Sequence, residues 1–226
     1  MQRNLNRKCT QQLLRLVSFS LLALLAASCS LPGKPKENPV KTYMLRWDAP
    51  MRAAEKPSDH KCLTVLINTP RAAPGFASAR MVYIEKPYRL DYFATHAWVD
   101  APARMMAPLI RRDLEKSGLF DKVILNPAES TEYGLRIEFE LLSLLQDFSG
   151  GKNEEQISLH MDVYDATLHQ LVISRTFSLA ETAKGRTPYA GVIAANQMMP
   201  RLMTEVTQYL ERNIPKNLGV CGESTQ

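Results

Sequence analysis

The clearest pattern in the chain lies at residues 135–141, where Leu135, Ile137, Phe139 and Leu141 alternate with Arg136, Glu138 and Glu140. Successive side chains of a strand point to opposite faces, so this period of two predicts a strand buried on one side. The phase slips at Leu142, which predicts a bulge. Alternation returns at Ile157, Leu159, Met161 and Val163. It recurs at Leu171, Ile173, Phe177 and Leu179, with Arg175 as the charged exception. These two runs flank residues 165–168 and read as an antiparallel pair. Between them and the first run, polar residues 146–155 with Gly150 and Gly151 read as a turn.

Earlier segments are shorter. Residues 62–67 are apolar and β-branched without alternation, as in a central strand. Residues 41–46 predict a first strand, 49–61 a polar connection and 70–77 a loop. Residues 81–84 and 88–93 predict a hairpin turning at 85–87, and 120–125 a further strand. A helical period follows Pro102, with Met106, Ile110 and Leu114 in one stripe widened by Met105 and Leu109. Asp100 is its expected cap and Gly118 its stop. Pro108 predicts a bend or a later start. After a loop at 182–189, Val192, Ala195, Met199, Leu202, Val206, Leu210 and Ile214 define a long amphipathic helix, with Pro200 expected to kink it near Asn196. Met198, Met199 and Met203 read as core filling. The sum predicts one α/β (α+β) domain: a mixed, largely antiparallel sheet of about six strands with two main helices packed on it.

The amino end is of another kind. Arg3, Arg7, Lys8 and Arg15 precede an apolar run at 16–27 and the small residues Ala26, Ala27 and Ser28 before Cys29. A basic start, a short apolar core and small residues at the cut form an export signal, and the run is too short to span a bilayer, which takes about 20 residues. Residues 25–29 resemble the bacterial lipobox, which implies cleavage of residues 1–28 and lipidation of Cys29. Ser30, rather than Asp, resembles sorting to the outer membrane. Residues 29–40, rich in Pro and Lys, read as a flexible tether, and 41–221 as the folded domain.

Loss of the signal changes the electrostatics. The net charge of +5 falls to near +1 once its four basic residues are gone. The basic balance is therefore no argument for nucleic acid, and no zinc-finger spacing or aromatic-basic stripe revives one. Cys62 and Cys221 remain, in an oxidising compartment where a disulfide between them would tie the carboxyl tail to the first central strand. A buried Cys62 beside a free Cys221, or pairing between chains, stays open.

Candidate chemistry is sparse. His60, His96, His160 and His169 lack metal-site spacing, no nucleophile elbow occurs, and residues 150–152 lack the frame of a phosphate loop. Asp162, Asp165 and Glu181 read as solvated charges beside a turn. No catalytic residue, metal or cofactor is expected, and hence no enzyme. The aromatic signal is richer: Tyr83, Tyr88, Tyr92, Phe93 and Trp98 fall within 16 residues, interleaved with Lys86, Arg89 and Asp91. Most are explained by a hairpin packed on the sheet. If one face docks a partner, Tyr88, Arg89, Tyr92 and Trp98 are its expected residues, since Tyr and Trp combine apolar area with a polar tip.

Several ordered motifs resemble one family. They are Tyr43-Met44-Leu45, then Arg80-Met81-Val82-Tyr83 followed by Tyr88-Arg89-Leu90-Asp91-Tyr92-Phe93. His96-Ala97-Trp98-Val99-Asp100-Ala101-Pro102, Ser117-Gly118-Leu119-Phe120 and Ala194-Ala195-Asn196-Gln197 complete the set. Together they resemble the ABC-type transport auxiliary lipoproteins, associated with paraquat-inducible and MCE-type lipid transport, over most of residues 41–215. Ala97 departs from the basic residue common before the tryptophan, and Pro108 and Pro200 fall in family helices. The resemblance implies an outer-membrane-anchored periplasmic accessory of an ABC/MCE system that moves phospholipid or other hydrophobic molecules. Its implied partners are membrane lipid through the Cys29 acyl chains, an MCE-domain protein and the inner-membrane ABC permease and ATPase; self-association stays open. The competing readings are an accessory lipoprotein of an outer-membrane assembly or secretion complex, and an envelope hydrolase.

Overall fold

The computed structural model describes residues 38–46, 63–125, 128 and 132–215. Cys29, Cys62 and Cys221, the leader, tether residues 29–37 and the connection at 49–61 lie outside the described residues. In chain order the elements are β1 (Lys41–Tyr43), β2 (Thr64–Ile67), β3 (Arg71–Ala72), β4 (Arg80–Lys86), β5 (Arg89–Trp98), α1 (Pro102–Ser117), β6 (Lys122–Ile124), β7 (Leu135–Asp147), β8 (Glu154–Asp165), β9 (Gln170–Thr182) and α2 (Pro188–Asn213).

Strand β7 is the spine of a single mixed sheet. One edge pairs antiparallel with β8 along its whole length, and β8 pairs antiparallel with β9. Three short strands share the other edge in parallel: β2 at Leu135 to Ile137, β3 at Glu140 and Leu141, and β4 at Leu145 to Asp147. β6 extends the sheet beyond β2, while β5 and then β1 extend it beyond β4. The register of β7 with β8 shifts between Leu141 and Ser143, so the slip read at Leu142 is a bulge.

Both helices cover the face from which Ile137, Phe139, Leu141, Leu159, Met161 and Val163 project, all at most 2% exposed. α1 contributes Met106, Ile110 and Leu114, and α2 contributes Ala195, Met198, Met199, Leu202, Met203, Val206 and Leu210, every one at 0%. Full burial of one such large side chain stabilises by about 1.5–3 kcal/mol, so this interface is the main source of order. A smaller cluster of Phe76, Val82 and Leu145 forms separately, with Tyr92 packed on it.

The structure corrects several expectations. Nine strands form where about six were expected, and the loop expected at 70–77 contains β3. β5 runs on to Trp98 instead of ending near Phe93, and β7 runs through Gln146 to Asp147, inside the expected turn. The N-cap of α1 is Ala101, with no side-chain cap; the Asp100 carboxylate instead accepts from the Ala101 amide and pairs with Arg104. Pro108 sits within α1 without delaying its start, and Gly118 closes the helix at φ 65°, the left-handed conformation glycine adopts without cost.

Candidate docking surface

The β4–β5 turn is the two-residue pair Pro87 and Tyr88, between the register pair Lys86 and Arg89. Proline fixes φ near −65° at the first corner. The second corner, Tyr88, sits at φ 66°, the positive value that a type II turn takes there. Its ring reaches full exposure, 106% of the reference value. Beside it, the Arg89 guanidinium is held by Asp91 at 2.6 Å and by Glu85 at 3.6 Å. The tip thus presents a bare phenol next to an oriented cation.

The other two expected docking residues lie elsewhere. Tyr92 is half-buried, with the Arg80 guanidinium carbon 3.6 Å from its ring centroid. Trp98 is only 3% exposed and belongs to the main core; its backbone amide donates to Ala79 O at 2.7 Å. The expectation that Trp98 faces a partner is therefore corrected: it terminates β5 and seals the sheet before α1. The composition of the segment drew attention to it, but only the length of β5 decides which way the indole points.

A band of rings not visible as a sequence pattern crosses this end of the sheet. Tyr43 stacks on His96 at 5.9 Å between centroids and 3° between planes, and Tyr189 of α2 lies 5.8 Å from Tyr43. Phe93 follows His96 at 6.4 Å, and Tyr83 follows Phe93 at 4.5 Å. These residues come from four separate elements, so no spacing in the chain announces the band.

The polar groups offer little for catalysis. His160 hydrogen-bonds through Nδ1 to Thr176 at 2.8 Å and through Nε2 to Asp162 at 3.1 Å. The set superficially resembles a nucleophile, base and orienting acid, but all three residues stand on the outward face of paired strands β8 and β9. The three carboxylates expected beside a turn each have their own partner: Asp162 engages His160, Asp165 accepts from the Thr167 and Leu168 amides, and Glu181 pairs with Arg201 at 2.5 Å. A shallow recess at Asn68, Thr69, Arg71, Glu138 and Phe139 is closed on itself, Glu138 taking contacts from Asn68 and Arg71. Among the described residues no group of three or more His, Cys, Asp or Glu side chains could hold a metal.

Several ionisable groups are perturbed, Asp100 with Arg104, Asp147 and Glu155 among them. The hydrogen bond from Arg104, reinforced by the Ala101 amide, lowers the Asp100 carboxyl to about 2. Burial pushes Glu155 well above the ordinary carboxyl range.

Comparison with known proteins agrees with this picture. A protein from Xanthomonas campestris has a similar structure, with a TM-score of 0.65 at 19% identity over 76% of this chain and 96% of that one. A second solved protein reaches 0.59 at 12% identity, over 76% and 99%. At such identities the likeness concerns the fold alone. No curated protein matches the chain. Residues 43–207, which span every element from the end of β1 to the body of α2, match the family described as ABC-type transport auxiliary lipoprotein component. The protein is accordingly an accessory lipoprotein of an ABC-type transport system, lipid-anchored at the outer membrane and facing the periplasm. The chain belongs to the ABC-type transport auxiliary lipoprotein family.

Proposed function

We propose that the protein is the outer-membrane-side docking element for an MCE-domain subunit, in a system that passes phospholipid or other hydrophobic molecules across the envelope. Cys29 carries the anchoring acyl chains, and residues 29–40 tether a domain spanning 41–221. Anchoring raises the local concentration of the domain near its partner without new contacts. The tip of the β4–β5 hairpin is the contact, with Tyr88 and Arg89 reaching the partner and Tyr92 supporting the tip from within.

The observation that carries this reading is the exposure of Tyr88 at φ 66°. A left-handed conformation costs a non-glycine residue roughly 1–2 kcal/mol, and the exposed ring recovers none of it within the domain. Strain of this kind clusters where a surface is used. A tyrosine also brings large contact area at low entropic cost.

A photo-crosslinking residue at position 88 of the full-length protein in its own envelope tests the proposal. Capture of an MCE-domain protein, with native recovery reduced at least tenfold in Tyr88→Ala and Arg89→Ala variants that keep their thermal stability, is the expected result. Reproducible capture of secretion or assembly components instead would replace the lipid-transport partner with the competing one.

A further inference from the structure

Beneath the first turns of α2 lies a polar arrangement that docking does not use. Gln146 on β7 and Glu155 on β8 are register partners, 1% and 3% exposed. The Gln146 amide nitrogen donates to Asn153 Oδ1 at 3.4 Å and to Thr187 O at 3.3 Å, which fixes the orientation of the amide. Its oxygen, Oε1, is then left buried without a donor. An unmet acceptor in the interior costs roughly 1–3 kcal/mol, so a donor is expected within reach.

Gly191 of α2 shows where the donor is. A Cβ at this position would stand 2.7 Å from Glu155 Oε2 and 2.8 Å from Gln146 Oε1. Both oxygens converge on the space that the missing side chain leaves. A neutral carboxyl bordering that space supplies the O–H that Oε1 lacks.

We propose that Glu155 is held protonated and donates its hydroxyl to Gln146 Oε1, forming a proton-operated latch that seats the first turns of α2 on the sheet.

Among the described residues no cation pairs with the carboxyl. On β9 the register partner of Glu155 is Glu181, whose carboxylate is occupied by Arg201 of α2. Lys152 engages Asp147, and Arg186 donates to Lys152 O with its guanidinium over Phe148. From the helix side the position against it is Gly191, between Ala190 and Val192, none of them charged. Burial alone therefore raises the Glu155 carboxyl, consistent with the geometry. Because the folded form binds the proton more tightly, the stabilisation is complete below the ordinary glutamate value of 4.5 and is lost as pH rises through the raised folded value. What the latch holds is specific: Tyr189 of the same turns packs on Tyr43, and Asn196 grips the chain after β1. Ionisation of Glu155 loosens α2 and, with it, the seat of β1.

Two measurements on the full chain test this. Carboxyl ¹³C NMR should show Glu155 still neutral well above the ordinary glutamate value of 4.5, and Gln146→Met, which removes the acceptor, should lower its midpoint. Hydrogen exchange at residues 189–195, taken relative to α1, should accelerate by up to about tenfold per pH unit above the ordinary carboxyl range. Glu155→Gln, whose amide can donate to Oε1 without titrating, should abolish that acceleration. Ionisation of Glu155 at the ordinary value of 4.5, a midpoint unmoved by Gln146→Met, or a pH dependence that persists in Glu155→Gln would each overturn the latch. The wild-type titration stands by itself if either variant fails to fold.

Discussion

Asn196, in the middle of the long helix, accepts the backbone amide of Arg46 on its Oδ1 at 2.6 Å, across 150 residues of sequence. Its Nδ2 donates to Met44 O at 3.3 Å and to Val192 O at 2.9 Å, so one side chain secures both the chain leaving β1 and its own helix. Truncation in Asn196→Ala should cost about 1–3 kcal/mol, the usual penalty for stranding partly buried polar groups. Urea denaturation should show a lower midpoint with an unchanged slope.

Trp98 and Tyr88 should respond in opposite ways to the same change. Trp98→Ala empties a core position and is expected to destabilise by about 3–5 kcal/mol. Tyr88→Ala removes a ring with no internal support and should stay within about 0.5 kcal/mol. Chemical denaturation of the two variants side by side checks the division; similar losses would contradict it.

Gly191→Ala gives an unusual sign. Alanine is the better helix former by about 1 kcal/mol, yet the new methyl would meet Glu155 Oε2 and Gln146 Oε1 at under 3 Å. Overpacking of that kind typically costs about 1–3 kcal/mol, so the net effect should be a lower melting temperature. A rise would mean that the two oxygens can move apart freely.

Strong acid should loosen the approach to α1. Asp100 is held down to about 2 by Arg104 and the Ala101 amide, against an ordinary value of 3.8. A lowered folded value means that its contribution is present above 3.8 and is lost as pH falls through about 2. The pair is solvent-exposed, so salt should weaken it. NMR titration should find the Asp100 midpoint near 2 and see it return towards 3.8 in Arg104→Ala.

The long alternating strands and both helices were legible because each repeats one period for several turns or pairs. The bulge at Leu142 was legible for the same reason, as a break in a strong pattern. β3 has two residues and therefore no period to read. The far half of β5 was hidden because Ala94, Thr95 and Ala97 are small or polar on an outlying strand. The polar run at 146–155 suggested solvent, yet Gln146, Asp147 and Glu155 are buried and bonded or enclosed. Alternation marks buried faces only when burial is apolar, so a polar interior imitates a turn. The hairpin tip was visible in composition, but separating exposed Tyr88 from buried Trp98 required the register.

The edge strand β1 has a mechanical meaning. It lies parallel to β5 in three register pairs, Lys41 with His96, Thr42 with Ala97 and Tyr43 with Trp98. Val99 N donates to Tyr43 O at 2.6 Å just beyond them. A pull transmitted through residue 40 along the strand axis loads these bonds together, in shear, with Asn196 as a stop behind them. Tension from the membrane would therefore be borne by the edge of the sheet together with the Asn196 anchorage on α2, as one clamp, leaving the hairpin tip undisturbed.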